Sequence, residues 1–236
     1  MKTIWRSFFC AMAVSLAVAG AAWAVPSLQI DVEGGLYDAV DESTYNTADT
    51  YDLYALMNET NKTDLSDTYY VSMALLKPDD ADWADDFGSF SFAGVSYDDL
   101  SQFSWGTPSL LTSIELGSHG IFPSYFTEHA FSFSSGNKAK SYDVETNPGG
   151  FETWSGSGSY LYYAAFEVDV SQLVSGWQVH FDLYNSSAFA PYSHDAYANP
   201  PGKPPGDGVP EPATMLLFGT GLAGLAGYHR KKKAAN

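Results

Sequence analysis

Apolar and polar residues alternate most regularly near the middle of the chain's second half, in Trp177-Gln178-Val179-His180-Phe181-Asp182-Leu183-Tyr184. A period of two over eight residues places one set on a buried face and the other on the opposite face of a strand. Leu28–Val32 repeats the pattern in short form. Tyr51–Met57, Tyr69–Leu76, Phe90–Val95, Ala130–Ser134 and Tyr160–Val170 are further short runs rich in aromatic and β-branched residues. Turn chemistry separates them: Gly34-Gly35, Asn58, Pro78-Asp79-Asp80, Pro108, Asn147-Pro148-Gly149-Gly150 and Ser155–Ser159. Short strands punctuated by Gly and Pro predict an all-β domain, an antiparallel β-sandwich with jelly-roll-like connectivity. Asp79–Phe87 and Tyr97–Phe103 are expected to hold a helical turn each. No internal repeat is visible.

Two segments break this pattern, one near each end. Near the start, Lys2 and Arg6 precede an apolar stretch from Phe8 to Ala19, and Ala22-Trp23-Ala24 follows as an A-x-A cleavage site. That is the build of a secretory signal peptide, residues 1–24, with cleavage placing Val25 first. The single Cys10 lies inside it, so the exported chain has neither a disulfide nor a thiol nucleophile and depends on core packing.

The other segment covers residues 209–236. Ala213 to Tyr228 is 16 residues without a charge, which as a helix extends roughly 24 Å, short of a hydrocarbon core of about 30 Å. Its flanks favour a membrane span over a core helix. Arg230, Lys231, Lys232 and Lys233 follow at once, where the positive-inside rule holds them in the cytoplasm and snorkelling stems extend the span. Upstream, Pro210-Glu211-Pro212 cannot continue a helix, because proline fixes φ and lacks an N–H donor. An extended, charged tripeptide just outside a membrane is open to a protease.

Taken in this order, Pro210-Glu211-Pro212, the apolar run and the basic cluster resemble the PEP-CTERM sorting signal of Gram-negative bacteria. The resemblance implies handling by an exosortase-type membrane protease, with cleavage near Pro210 to Pro212 and the catalytic residue on the protease. Further stretches resemble the choice-of-anchor N family: Leu28–Tyr37, Tyr51–Leu56, Gly117–Tyr125 and His180–Tyr184. That likeness implies an extracellular domain joined to an anchor, and it supplies no catalytic residues.

Between the two segments the chain is divided into an ectodomain, 25–185, and a linker, 186–208, rich in Pro, Gly, Ser and Asn. From Val25 to Gly208 there are five lysines against 27 acidic residues, a net charge of −22. So acidic a surface lacks the basic stripe that nucleic acid or an anionic polysaccharide requires. Solubility, divalent cations or neutral sugars remain compatible with it.

Candidate chemistry is sparse. The five aspartates of the Asp79–Asp86 loop offer oxygens of the kind Ca²⁺ takes, but their spacing is not that of an EF-hand, and a solvated loop is the plainer account. His119, His129, His180 and His229 form no zinc-binding spacing, and no nucleophile elbow or phosphate loop occurs. Trp83, Trp105, Trp154 and Trp177 are candidates for a sugar-stacking platform, set against ordinary core packing. The expected function is an exported, non-enzymatic cell-surface or matrix protein associated with exopolysaccharide or biofilm. It would begin as an inner-membrane-anchored precursor and end at the surface or outside the cell. The alternatives are a carbohydrate- or Ca²⁺-binding module and a polysaccharide hydrolase with paired carboxylates.

Overall fold

A computed structural model describes residues 25–39, 41–78, 81–116 and 121–198. The predicted signal peptide, the apolar segment 213–228 and the basic cluster 230–233 therefore lie outside the described residues. Among the described residues no helix is long and apolar enough to cross a membrane.

The described chain is all-β and forms two sheets. Its strands are β1 (Leu28–Val32), β2 (Leu36–Asp38), β3 (Ser43–Asn46), β4 (Thr50–Met57), β5 (Tyr69–Leu76), β6 (Gly88–Phe92), β7 (Val95–Tyr97), β8 (Ser104–Gly106), β9 (Ser124–Phe131), β10 (Lys138–Lys140), β11 (Tyr160–Leu173), β12 (Gln178–Tyr184) and β13 (Ala196–Ala198). The first sheet runs β1-β4-β11-β6-β7, with β10 also paired to β11. The second runs β2-β3-β13-β12-β5-β9-β8. One side of each sheet supplies the main core. Leu28, Ile30, Leu53 and Phe92 come from the first, and Val71, Met73, Val179 and Phe181 from the second. Their alternation in sequence matches the pleat, in which residues two apart share a face.

The strands expected at Leu28–Val32 and Tyr69–Leu76 occur with those bounds. Phe90–Val95, expected as one strand, is instead a hairpin. Ala93 and Gly94 both have positive φ, 51° and 78°, and turn the chain between β6 and β7, as tight two-residue hairpin loops require. The strand expected at Ala130–Ser134 begins earlier and ends at Phe131. A helical turn does form at Leu100–Gln102, where Asp99 accepts from Ser101 N and Gln102 reaches back to Asp99 N. The described part of the Asp79–Phe87 segment makes hydrogen-bonded turns rather than a helix.

Two corrections affect the candidate site. The sheets are not purely antiparallel, because β13 runs parallel to β3. These strands lie about 150 residues apart, so no hairpin dictates their direction. The segment expected as the first half of a linker, 186–198, also belongs to the fold. Ala188, Ala190, His194, Asp195, Ala196, Tyr197 and Ala198 are buried, and β13 fills the gap between β3 and β12. Pro and Ser in this stretch break regular structure but do not prevent a three-residue strand from pairing.

The first sheet carries a second, smaller apolar cluster on its other side. Tyr54, Leu56, Ala139, Val144 and Leu161 are buried there under the segment that includes Tyr142 and Phe151. Phe151 stacks on Tyr54 with ring centroids 3.8 Å apart. The same segment meets the turn after β1 at Gly149, φ 66°, where a Cβ would sit 2.7 Å from the backbone nitrogen of Gly35.

Candidate functional site

The opposite face of the second sheet carries the polar positions of β12. His180 and Asp182, two apart on one strand, project from the same side, away from the core residues Val179 and Phe181. Register sets Ser72 of β5 opposite Asp182 and Tyr197 of β13 opposite His180, so Asp195, just before β13, comes up across from Asp182 on the same face and reaches His180 diagonally. His180 Nε2 lies 3.3 Å from Asp182 Oδ1 and 3.1 Å from Asp195 Oδ2. Hydroxyls fix the other carboxylate oxygens: Ser72 Oγ donates to Asp182 Oδ2 at 2.9 Å, and Ser43 Oγ donates to Asp195 Oδ1. Just beyond, Tyr197 stacks on Tyr45 and donates to Asp38 Oδ2 at 3.1 Å.

The three charged residues are almost fully enclosed: His180 and Asp182 are each 3% exposed, and Asp195 is 1% exposed. Burial alone pushes an imidazole toward its neutral form. Here the facing carboxylates, Asp195 and then Asp182, outweigh it and raise His180 to about 10. Such a centre holds positive charge in the interior. It is enclosed on all sides and suits structural binding better than turnover of a large substrate.

A second grouping lies where the segment before β13 meets the loop over the first sheet. His194 Nε2 is 3.3 Å from Asp143 Oδ1, its Nδ1 is 2.8 Å from Ser193 Oγ, and Glu145 is close by. His194 is buried, while Asp143 and Glu145 are half-buried. His194 and Asp195 are adjacent, so both groupings hold the same stretch of backbone.

The residues singled out in the sequence have varied fates. Asp79 and Asp80 lie outside the described residues. Asp82, Asp85 and Asp86 point their carboxylates at the nearby backbone amides of Ala84, Asp82 and Gly88, closing turns in an exposed loop. Trp177 is core. Trp154 lies under Lys138, whose Nζ is 5.3 Å from its ring centroid and 4.1 Å from that of Tyr160. Trp83, Trp105 and Tyr125 form a surface cluster with centroids 4.9–5.5 Å apart. Trp105 is its open member, 53% exposed at the edge strand β8. His129 is half-buried between Phe92 and Phe166, where loss of solvent holds it below the usual histidine value. His119 and His229 lie outside the described residues.

Paired carboxylates for glycoside hydrolysis were expected to meet in space if they met at all. Two surface grooves carry one carboxylate each, Asp169 beside Ser89 and Ser171, and Glu115 beside Ser109 and Thr112. The buried triad escaped prediction. His180-x-Asp182 in an alternating strand already placed two of its members on one face, but Asp195 stood in a stretch that reads as linker.

No curated protein and no solved structure matches the chain. The match that does occur covers the segment beyond the described fold, where Pro210-Glu211-Pro212 precedes the apolar run and the first cations of the basic cluster. Residues 208–231 match the PEP-CTERM protein-sorting motif, and the chain is therefore a carrier of that exosortase-directed signal of exported proteins.

Proposed function

We propose that the chain is a non-enzymatic protein of the cell surface or extracellular matrix. An exosortase-type membrane protease processes it at Pro210-Glu211-Pro212, and its β-domain associates with neutral exopolysaccharide. The sorting half rests on the motif at residues 208–231. By this reading the precursor is anchored in the inner membrane through 213–228, with Arg230–Lys233 on the cytoplasmic side, and the processed protein ends at the surface or outside the cell. The chain's repeated crossing between two sheets supports a jelly-roll-like scaffold. The ectodomain's resemblance to the choice-of-anchor N family is in keeping with the same role.

One observation carries the glycan half: Trp105 stands exposed on an edge strand, backed by Trp83 and Tyr125. Aromatic faces of this kind stack on sugar rings, and the charge of −22 over Val25–Gly208 selects against anionic chains. The non-enzymatic reading is supported by the duties of the acids. Asp31, Glu128, Asp143, Asp182 and Asp195 are all engaged in bonds that hold the fold.

Mass analysis of the mature C-terminus tests the sorting half. In a host with the sorting protease, the native chain is expected to lose its tail, and a chain with Pro210, Glu211 and Pro212 changed to alanine to keep it in the membrane fraction. A native chain that keeps its tail refutes this. For the glycan half, affinity measured on a panel of neutral polysaccharides is expected to fall at least roughly 10-fold in Trp105→Ala, about what loss of one stacked aromatic contact removes. Unchanged binding refutes the platform, and hydrolysis of any glycan refutes the non-enzymatic role.

A further inference from the structure

We propose that His180, Asp182 and Asp195 form a binding site for a divalent first-row transition cation, with Zn²⁺ as the representative ion, and that this ion fastens β13 to β12. A charge-assisted N⁺–H···O⁻ bond closes to about 2.7–2.9 Å. Here one nitrogen faces two carboxylate oxygens at 3.1 and 3.3 Å. A single ring N–H points along one direction, so it cannot make a straight bond to both. The same spacing also accommodates an ion between the three groups. Ligand atoms each about 2.0–2.2 Å from a tetrahedral ion stand roughly 3.3–3.5 Å from one another. All three donor atoms here lie within 4.8 Å of one another.

The support around the donors is also that of a metal site. Ligating carboxylates are ordinarily oriented by hydrogen bonds to their other oxygens. Ser72 Oγ does this for Asp182 and Ser43 Oγ for Asp195, leaving Asp182 Oδ1 and Asp195 Oδ2 directed at His180 Nε2. One imidazole and two carboxylates suit Zn²⁺ and its first-row neighbours better than Ca²⁺, which takes six to eight oxygens. The ion takes the place of the His180 Nε2 proton, which is released to solvent on binding, and a fourth position of a four-coordinate ion goes to water. The enclosure of all three residues keeps large substrates away from the ion.

The position gives the ion a task. Asp195 directly precedes β13, whose last residue, Ala198, stands ten residues before the sorting motif. β13 contributes only three residues to the sheet, and β3, its other neighbour, only four. An ion shared by Asp195 and β12 secures the strand that any pull on the anchored tail reaches first.

The test uses the full chain, purified in detergent, stripped with a chelator and titrated with Zn²⁺ or Co²⁺ alone. One ion per chain is expected by elemental analysis after dialysis, and Co²⁺ is expected to show visible ligand-field bands of a low-coordinate nitrogen–oxygen site. At Zn²⁺ about 100-fold above its dissociation constant, the unfolding midpoint is expected to rise by roughly 5–10 °C. His180→Gln and Asp195→Asn are expected to lose the bands and the shift, and Asp143→Asn in the neighbouring grouping to keep both. Should the first two variants fail to fold, the native chain still decides. No stoichiometric uptake, or uptake that disappears only in Asp143→Asn, overturns the proposal.

Discussion

Each sheet buries acid on the side away from the main core, one aspartate on the first and a pair on the second, and they accommodate it by different means. On the first sheet Asp31 accepts from Tyr142 Oη at 2.6 Å, Gly149 N at 2.8 Å and Val32 N at 2.9 Å, all neutral donors. Gln29 beside it exchanges bonds with Tyr142 O and Val144 N. On the second sheet Asp182 and Asp195 meet the imidazole of His180. The first arrangement makes a loop into a lid: it fastens residues 142–149 over β1. The second makes a terminal segment into a strand: it fastens Asp195 and β13 to β12. Neutral donors disperse a buried charge over several weak bonds. A cationic centre concentrates it in one place, where losing a single group has a larger effect.

The largest expected effect follows from that concentration. His180→Ala removes the centre from between two buried carboxylates and is expected to cost about 3–5 kcal/mol by chemical unfolding. Changing His180, Asp182 and Asp195 together to apolar residues of similar volume is expected to recover most of that loss, because no charge is then left to desolvate. A triple variant less stable than His180→Ala would break the comparison. In that case the ions would be contributing net stability and not only specifying which strand docks.

The dispersed cluster is expected to be more tolerant. Asp31→Ala leaves the Tyr142 hydroxyl and the Gly149 amide without their acceptor, but both sit on a loop that can open and hand them to water, so the total loss is expected to stay near about 1–3 kcal/mol. The loss is expected to appear first as faster amide exchange across 142–149, the lid, with β13 unaffected. Chelator treatment sharpens the contrast. It is expected to lower the unfolding midpoint of the native chain and of Asp31→Ala by equal amounts, and that of Asp195→Asn not at all.

Legibility in the sequence follows the same division between local and distant causes. β1 and β5 announce themselves because alternation over five to eight residues and the flanking turns are both local. The sorting segment is legible for that reason too, since its three parts stand in sequence. β2, β3, β8, β10 and β13 are three or four residues long, too short to show a period. Ala196-Tyr197-Ala198 becomes a strand because β3 and β12 leave a gap between them, a fact no window around residue 196 contains. The lid over Asp31 was hidden likewise, since Asn147-Pro148-Gly149-Gly150 reads as an ordinary turn until its glycine meets Gly35. The triad sat between the two cases, with His180 and Asp182 on one legible strand and Asp195 on an illegible one.

The smallest expected effect is also the most specific to neutral-donor burial. Loss of solvent raises the Asp31 carboxyl above its ordinary 3.8, and the bonds from Tyr142, Gly149 and Val32 only partly offset this. A carboxyl with a raised folded value takes up its proton more readily in the native chain than in the unfolded one. Its contribution to stability is therefore fully present below 3.8 and is lost as pH rises through the raised value. Asp31→Asn lacks the ionisation but keeps an acceptor oxygen for two of the three donors. On acidification from neutrality, the native chain is expected to gain stability relative to Asp31→Asn, with the change confined to the interval between the raised value and 3.8. Urea unfolding of both chains at successive pH values measures it directly. A difference that moves the other way would mean that the three donors hold Asp31 as a stabilised carboxylate. The neutral donors would then outweigh the loss of solvent, and the first sheet would hold its charge as firmly as the cationic centre holds that of the second.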